Sequence, residues 1–334
     1  MNPVIVIPTF VSARRRKDGG SILTTYDHMT PISQPGELGR CLKSLQKVRG
    51  IGQIVVLVAS EPTIENQAAE KVQATVSQFP GLNVVVVGAP ELALIQQRME
   101  QLGLGKLAKE VGLSGYGAIR NLGLLVADTL GFDAVVFLDD DEVVDDPDFL
   151  QRAVYGLGKL TKKGIPILAK TGYYFNSDGS YLSKSQDRWY NHFWQQGKAF
   201  NKWITKAMHG PRLSRSNHVC GGCLALHKEA FRRVSFDPWI PRGEDLDYLL
   251  DLRMYGSDIW FDNQWNRDGK RGQPFPSGHL PLAVRVPQDG IQSYADRPAA
   301  GEAVVARTIS GSFPGGRHHE AHPPDGVPAQ PGPT

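Results

Sequence analysis

Short apolar runs punctuate the first half of the chain at a regular rhythm. Val4-Ile5-Val6-Ile7-Pro8-Thr9, Ile54-Val55-Val56-Leu57-Val58, Asn83-Val84-Val85-Val86-Val87-Gly88 and Ala134-Val135-Val136-Phe137-Leu138 are each too brief for a helix and apolar at successive positions. That pattern predicts strands covered on both faces. Between them apolar residues recur at helical spacing: Leu38, Cys41, Leu42, Leu45 and Val48 over 37–48, and amphipathic patterns over 63–79 and 118–130. Strands alternating with helices specify βαβ units with right-handed crossovers and a mostly parallel sheet.

The second half has a different texture. Residues 165–169 and 224–226 predict further strands, 244–253 a helix and 259–261 a last strand. Residues 171–218 carry Tyr173, Tyr174, Trp189, Tyr190, Phe193, Trp194 and Trp203 among Asn, Gln and His. Such a stretch suits either a sugar-stacking surface or a packed aromatic core. From about 311 onward Gly and Pro accumulate without apolar periodicity, which predicts a disordered tail. His318, His319 and His322 in that tail fit either metal binding or a plain polar segment.

Composition narrows the class only a little. The 334 residues are 41% hydrophobic and 21% charged, with a net charge of +3, ordinary for a globular protein and no signature of nucleic-acid binding. Three cysteines give no disulfide framework; Cys220-Gly-Gly-Cys223 lacks the second pair that a zinc site needs. No run approaches a membrane span, and no charged n-region with an apolar stretch opens the chain, so a soluble cytoplasmic protein is expected.

Chemistry concentrates where the strands end. Asp139-Asp140-Asp141-Glu142 follows the fourth run, with Asp145, Asp146 and Asp148 close behind. Crowded carboxylates raise one another's pKa unless a cation lies between them, and a hard divalent ion suits oxygen ligands. The other reading is a solvated acidic loop capping a helix that starts at Asp146-Pro147-Asp148. Arg14-Arg15-Arg16-Lys17, in the long loop after the first strand, suits phosphates or a solvated face. Gly115 and Gly117 permit close backbone approach at a helix N-terminus, where Arg120 opposes the helix dipole unless an anion lies nearby. Gly221-Gly222 precedes a short strand and can form a wall against a ligand. Glu244-Asp245 at a helix start fits capping or a general base.

Taken in order, Ile7-Pro8-Thr9, Gly117 to Asn121, Asp139-Asp140-Asp141, Gly221-Gly222 and Glu244-Asp245 resemble the GT-A glycosyltransferases, most closely the inverting enzymes of the family 2 type, over roughly residues 3 to 280. The resemblance implies an α/β, Rossmann-like GT-A fold: a mostly parallel central sheet flanked by helices, with a smaller acceptor-side region. It implies one catalytic domain over 1–285, with a nucleotide-sugar half (1–145) and an acceptor half (146–285), and a C-terminal extension over 286–334. Pro8, Thr9, Ser60, Glu61, Gly117, Arg120, Asn121, Asp139 and Asp140 would then contact the nucleotide sugar, a UDP- or GDP-sugar. Asp139 and Asp141 would hold Mn²⁺ or Mg²⁺, with His279 as a candidate third ligand. Gly221, Gly222 and Trp239 would wall the donor sugar and the acceptor, a hydroxyl compound. Asp245 would be the general base, supported by Glu244.

Other activities share parts of this pattern. A retaining GT-A enzyme acting on glycerate or phosphoglycerate has the same fold and metal motif but no base at the Glu-Asp position. A sugar nucleotidyltransferase opens with a basic Gly-rich loop directly after its first strand, where this chain has Pro8-Thr9-Phe10-Val11. A non-catalytic sugar-binding module would need neither the metal pair nor the base.

Overall fold

Chain order and burial together explain the architecture. In the computed structural model, which describes residues 1–13, 26, 29–175, 179–183, 195–265 and 284–285, the strands are β1 (Pro3–Ser12), β2 (Thr30–Pro31), β3 (Ile54–Ser60), β4 (Val84–Val87), β5 (Ala134–Phe137), β6 (Val143–Val144), β7 (Ala169–Thr171), β8 (Leu213–Arg215), β9 (Leu224–His227), β10 (Ile259–Asp262) and β11 (Val284–Arg285). The helices are α1 (Leu38–Leu45), α2 (Glu65–Val76), α3 (Ala89–Gln101), α4 (Tyr116–Thr129), α5 (Phe149–Val154), α6 (Gln196–Met208), α7 (Lys228–Phe231) and α8 (Glu244–Met254). All described residues belong to the unit Met1–Arg297.

The main sheet runs β4-β3-β1-β5-β9-β7-β10-β8, with β2 pairing beside the end of β1. Its first four strands are parallel, as are β7 and β10. The central strands are continuously apolar over residues 4–7, 54–59 and 134–137 because helices cover both faces. Ile5, Ile7, Val56 and Val136 pack with Leu42, Leu45 and Val72 of α1 and α2. Their neighbours Val4, Val6, Val55 and Phe137 pack with Ile119 and Leu122 of α4 and with Tyr248 and Leu249 of α8. The two-residue period of a strand thus feeds two cores at once.

The topology then does something that matters for the site. Strand β9 runs antiparallel between β5 and β7, pairing Phe137 with Leu224 and Thr171 with Leu224. The start of β9 therefore lies at the same sheet edge as the ends of β5 and β7. That edge is where ligands meet open α/β sheets.

Several elements depart from the sequence pattern. The run 165–169 packs as an irregular segment with a single bridge from Leu160 to Pro166, and the strand begins only at Ala169. Helix α3, which the sequence pattern did not single out, has no fully buried residue and packs on the core through the half-buried stripe Leu92, Ile95 and Met99. It is fixed at its start by the Glu91 carboxylate, which accepts the Gly88 N–H at 2.8 Å. Of the aromatic stretch, Tyr173 and Phe175 are buried with Ile204, Met208 and Phe261 as a satellite core. Trp189, Tyr190, Phe193, Trp194, the basic run 14–17 and the extension 286–334, with His318, His319 and His322, lie outside the described residues.

The far side of the sheet hides a polar network. Lys170 and Asp262 are both fully buried and pair at 2.8 Å. Lys170 also donates to the carbonyls of Arg152 (2.7 Å) and Tyr155 (2.9 Å). Asp262 accepts from Arg212 at 3.1 Å, and that guanidinium lies 3.3 Å from the centre of the Tyr155 ring. Burial pulls the Lys170 ammonium down to about 8, against the opposing pull of Asp262. Removing one member of such a pair strands the other charge. Asp262→Ala should destabilise the fold by about 3–5 kcal/mol in denaturant titrations, and Lys170→Met together with Asp262→Leu should recover most of that loss.

Candidate active site

Each piece of the candidate site is held by a different element. The acidic loop leaves β5 after Leu138 and turns back on itself: the Glu142 N–H donates to the Asp139 carbonyl at 3.2 Å, and the Glu142 carboxylate accepts the Asp139 N–H at 3.4 Å. Glu142 is buried, whereas Asp139, Asp140 and Asp141 are half-buried. The Thr9 hydroxyl, on β1, donates to Asp140. Helix α1 supports the loop from below: Arg40 donates to the Asp141 carbonyl at 3.0 Å, and Ser44 accepts the Val144 N–H at 3.0 Å.

The acidic run divides in two. Asp145, Asp146 and Asp148 pair with Lys47, Arg152 and Arg49 and open α5. The preceding acids behave differently. Burial, then Asp141, pushes the Asp140 carboxyl up to about 8. Burial, then Asp139 and Asp141, holds Glu142 well above the usual carboxylate range. A crowd of carboxylates with elevated proton affinity is what a divalent cation relieves, and Asp139 and Asp141 supply hard oxygen donors for it. Among the described residues no three His, Cys, Asp or Glu side chains surround one point. His279 lies outside the described residues.

The glycine pair forms a 3₁₀ turn, Gly221–Cys223, pressed against this loop. A Cβ on Gly222 would sit 2.4 Å from an Asp139 carboxylate oxygen and 2.9 Å from Glu142. Only hydrogen fits there. Cys220 and Cys223 flank the glycine pair and are not joined by a disulfide.

Helix α4 reaches the site with Gly117, Arg120 and Asn121. A Cβ on Gly117 would lie 2.1 Å from the Asp237 carbonyl oxygen, so the helix start and the 236–238 segment touch backbone to backbone. Asn121 is buried and clamps that contact. Its amide donates to the carbonyls of Glu110 (3.0 Å) and Phe236 (2.9 Å), and its oxygen accepts the Phe236 N–H at 2.9 Å. Arg120 is buried as well and donates to Glu244 and to the Gly221 carbonyl, both at 3.0 Å.

The clamped segment leads to Gly243, at φ +84°, and into α8. Glu244 is buried and Asp245 half-buried. Burial, then Glu244, pushes Asp245 up to about 7, and Arg120 pulls it back. Trp239 projects from the same segment and is 74% exposed. At the other end of the edge, Ser60 closes β3 and helps line a narrow pocket of about 20 Å³ with Val58, Glu65, Ala69, Gly88, Ala89 and Leu113. The Glu61 carboxylate accepts the Ala13 N–H at 3.1 Å, and Pro8 lies in β1 beside Leu57.

Some residues at this edge gave no sequence signal. Tyr26 is buried against Phe10, ring centroids 3.7 Å apart, and its hydroxyl donates to the Leu113 carbonyl and accepts the Gly115 N–H, both at 2.8 Å. A lone tyrosine in a polar stretch has no periodicity to reveal it. Glu142 was readable as the fourth acid of the run, though its inward turn was not.

No family model and no curated protein matches the chain. Among solved structures, it is similar to a mannosyltransferase from Pyrobaculum calidifontis in complex with GDP-Man and Mn²⁺, at 14% identity and TM-score 0.43, covering 94% of this chain and 76% of that one. It is also similar to glucosyl-3-phosphoglycerate synthase from Mycobacterium tuberculosis (14% identity, TM-score 0.38, 82% and 73% covered) and to mouse xyloside xylosyltransferase 1 (13%, 0.33, 77% and 77%). These are likenesses of architecture.

The Asn121 clamp is open to a direct check. Asn121→Ala leaves the Phe236 N–H and two carbonyls without their partner, so unfolding should move to lower denaturant by the equivalent of about 1–3 kcal/mol.

Proposed function

We propose that the protein is a metal-dependent glycosyltransferase that moves a sugar from a nucleotide-diphosphate donor to an acceptor hydroxyl with inversion at the anomeric carbon. One observation carries the reading. The antiparallel insertion of β9 places the acidic loop, the Gly221–Cys223 turn and the α8 N-terminus around one sheet edge, with Arg120 bonded to both the turn and α8. This is the arrangement expected when an acid pair, a sugar wall and a base act on one molecule.

In this reading the nucleotide lies over the ends of β1 and β3, against Pro8, Thr9, Ser60 and Glu61, with its diphosphate toward Gly117 and the acidic loop. Asp139 and Asp141 would hold the divalent ion, Mn²⁺ or Mg²⁺. When bound, it would supply Lewis-acid stabilisation of charge on the leaving diphosphate. Asp140 is kept in place by Thr9. Gly221 and Gly222 form a wall without side chains, which lets a sugar ring lie close to the backbone. Trp239 offers an exposed ring face for the sugar or the acceptor. Asp245 takes the proton of the attacking hydroxyl, and its elevated pKa matches the work of a base near neutral pH. No helix among the described residues is long and apolar enough to cross a membrane.

A panel of UDP-, GDP- and dTDP-sugars tests the class. With Mn²⁺ one donor should release its nucleotide, and EDTA or Asp141→Ala should abolish release. The absence of binding to every donor, with or without metal, would overturn the reading. Asp245→Asn should keep donor binding while transfer falls by roughly 10²–10⁴-fold; near wild-type turnover would remove Asp245 as the base. Because the base must be ionised, kcat/KM should fall about tenfold per pH unit below a limb near 7 and level off above it. The anomeric configuration of the product, read by NMR, should be opposite to that of the donor.

A further inference from the structure

Arg120 is the fifth residue of α4, just past its first turn, and a cation buried there requires partners. The structure shows what compensates. The side chain is almost fully buried, and its guanidinium lies 4.9 Å from the centre of the Phe137 ring and 5.8 Å from that of Phe236. Its Nε donates to Glu244 Oε1 and its Nη1 to the Gly221 carbonyl, each at 3.0 Å. Its Nη2 also faces the turn, 2.4 Å from where a Cβ of Gly221 would stand. Glu244, equally buried, is the first residue of α8, so two helix N-termini meet across one ion pair. Asp139 and Asp245 both lie close enough to act electrostatically on the same cation.

We propose that Arg120 is a positioning residue rather than a ligand of the donor's phosphates: its fork fixes the Gly221-Gly222 turn and the start of α8 relative to each other, and so sets the base against the sugar wall. This inference rests on the transferase reading above. An arginine is needed because the two acceptors lie on different segments and its planar fork reaches both while stacking on the rings. A lysine at the same position offers a point charge that satisfies one acceptor at a time. Burial of the side chain and the engagement of its Nε and Nη1 by Glu244 and the Gly221 carbonyl tie the guanidinium to these two segments.

The test compares wild type with Arg120→Lys, Arg120→Met and Glu244→Gln. It reads donor Kd with Mn²⁺ by equilibrium dialysis, kcat for transfer, and thermal unfolding. Arg120→Lys should leave donor Kd within about threefold while kcat falls by roughly 100-fold, the cost of a misplacement of about 1 Å. Glu244→Gln keeps an oxygen for Nε and should lose less. The acidic limb of kcat/KM should move to higher pH in Arg120→Met, because a cation that favours ionised Asp245 is gone. If Arg120→Met does not fold, Arg120→Lys and Glu244→Gln decide. A parallel rise of donor Kd with the loss of kcat/KM would make Arg120 a phosphate ligand and overturn the proposal. So would an unchanged kcat in folded Arg120→Lys, with only the unfolding temperature lowered. Failure of the wild type itself to bind or turn over any donor would instead overturn the transferase reading and the role of Arg120 with it.

Discussion

Placing four consecutive acids at the end of a strand buried on both faces is costly, and much of the surrounding structure answers to that cost. Carboxylates lose water there faster than they gain partners, so each needs a donor, a proton or a cation. The fold supplies donors from several directions. Thr9 comes from β1, the Asp139 N–H meets Glu142, and Arg120 approaches from α4. What remains is an excess of negative charge that Asp140 and Glu142 register as raised proton affinity. That raised proton affinity is the electrostatic signature of this sheet edge.

The same constraint explains the glycines. Two acids and a guanidinium crowd against the 221–223 turn, and Cβ atoms would collide with both. The absence of side chains is therefore a packing requirement of the charged cluster.

How far the chain could be read in advance follows from where its partners lie. Strands β1, β3 and β5 and helix α8 were legible because both faces, or the end caps, show in consecutive residues. Strand β7 was displaced in the reading because it carries Lys170, a cation buried only by virtue of Asp262, 92 positions away in sequence but adjacent across the sheet. Helix α3 packs only through half-buried Leu92, Ile95 and Met99, with exposed Leu94 beside them blurring the stripe. At the site, the acids, the glycine pair and Glu244-Asp245 stood out by residue type. The bonds that join them did not. Arg120 meets Glu244 across 124 positions and Asn121 meets Phe236 across 115, distances at which no periodicity speaks.

The Gly117 contact with Asp237, locked by Asn121, has a consequence for how this architecture can vary. It ties the start of α4 to the segment that introduces α8. Chain added between β4 and Gly115 enters upstream of that tie and leaves the acidic loop, the glycine turn and Asp245 in register. Chain added between Phe236 and Gly243 enters downstream of it and moves Asp245 directly. The molecule thus separates a stretch free to diversify from one of fixed length, where the surface around Trp239 is expected to change by substitution rather than by insertion.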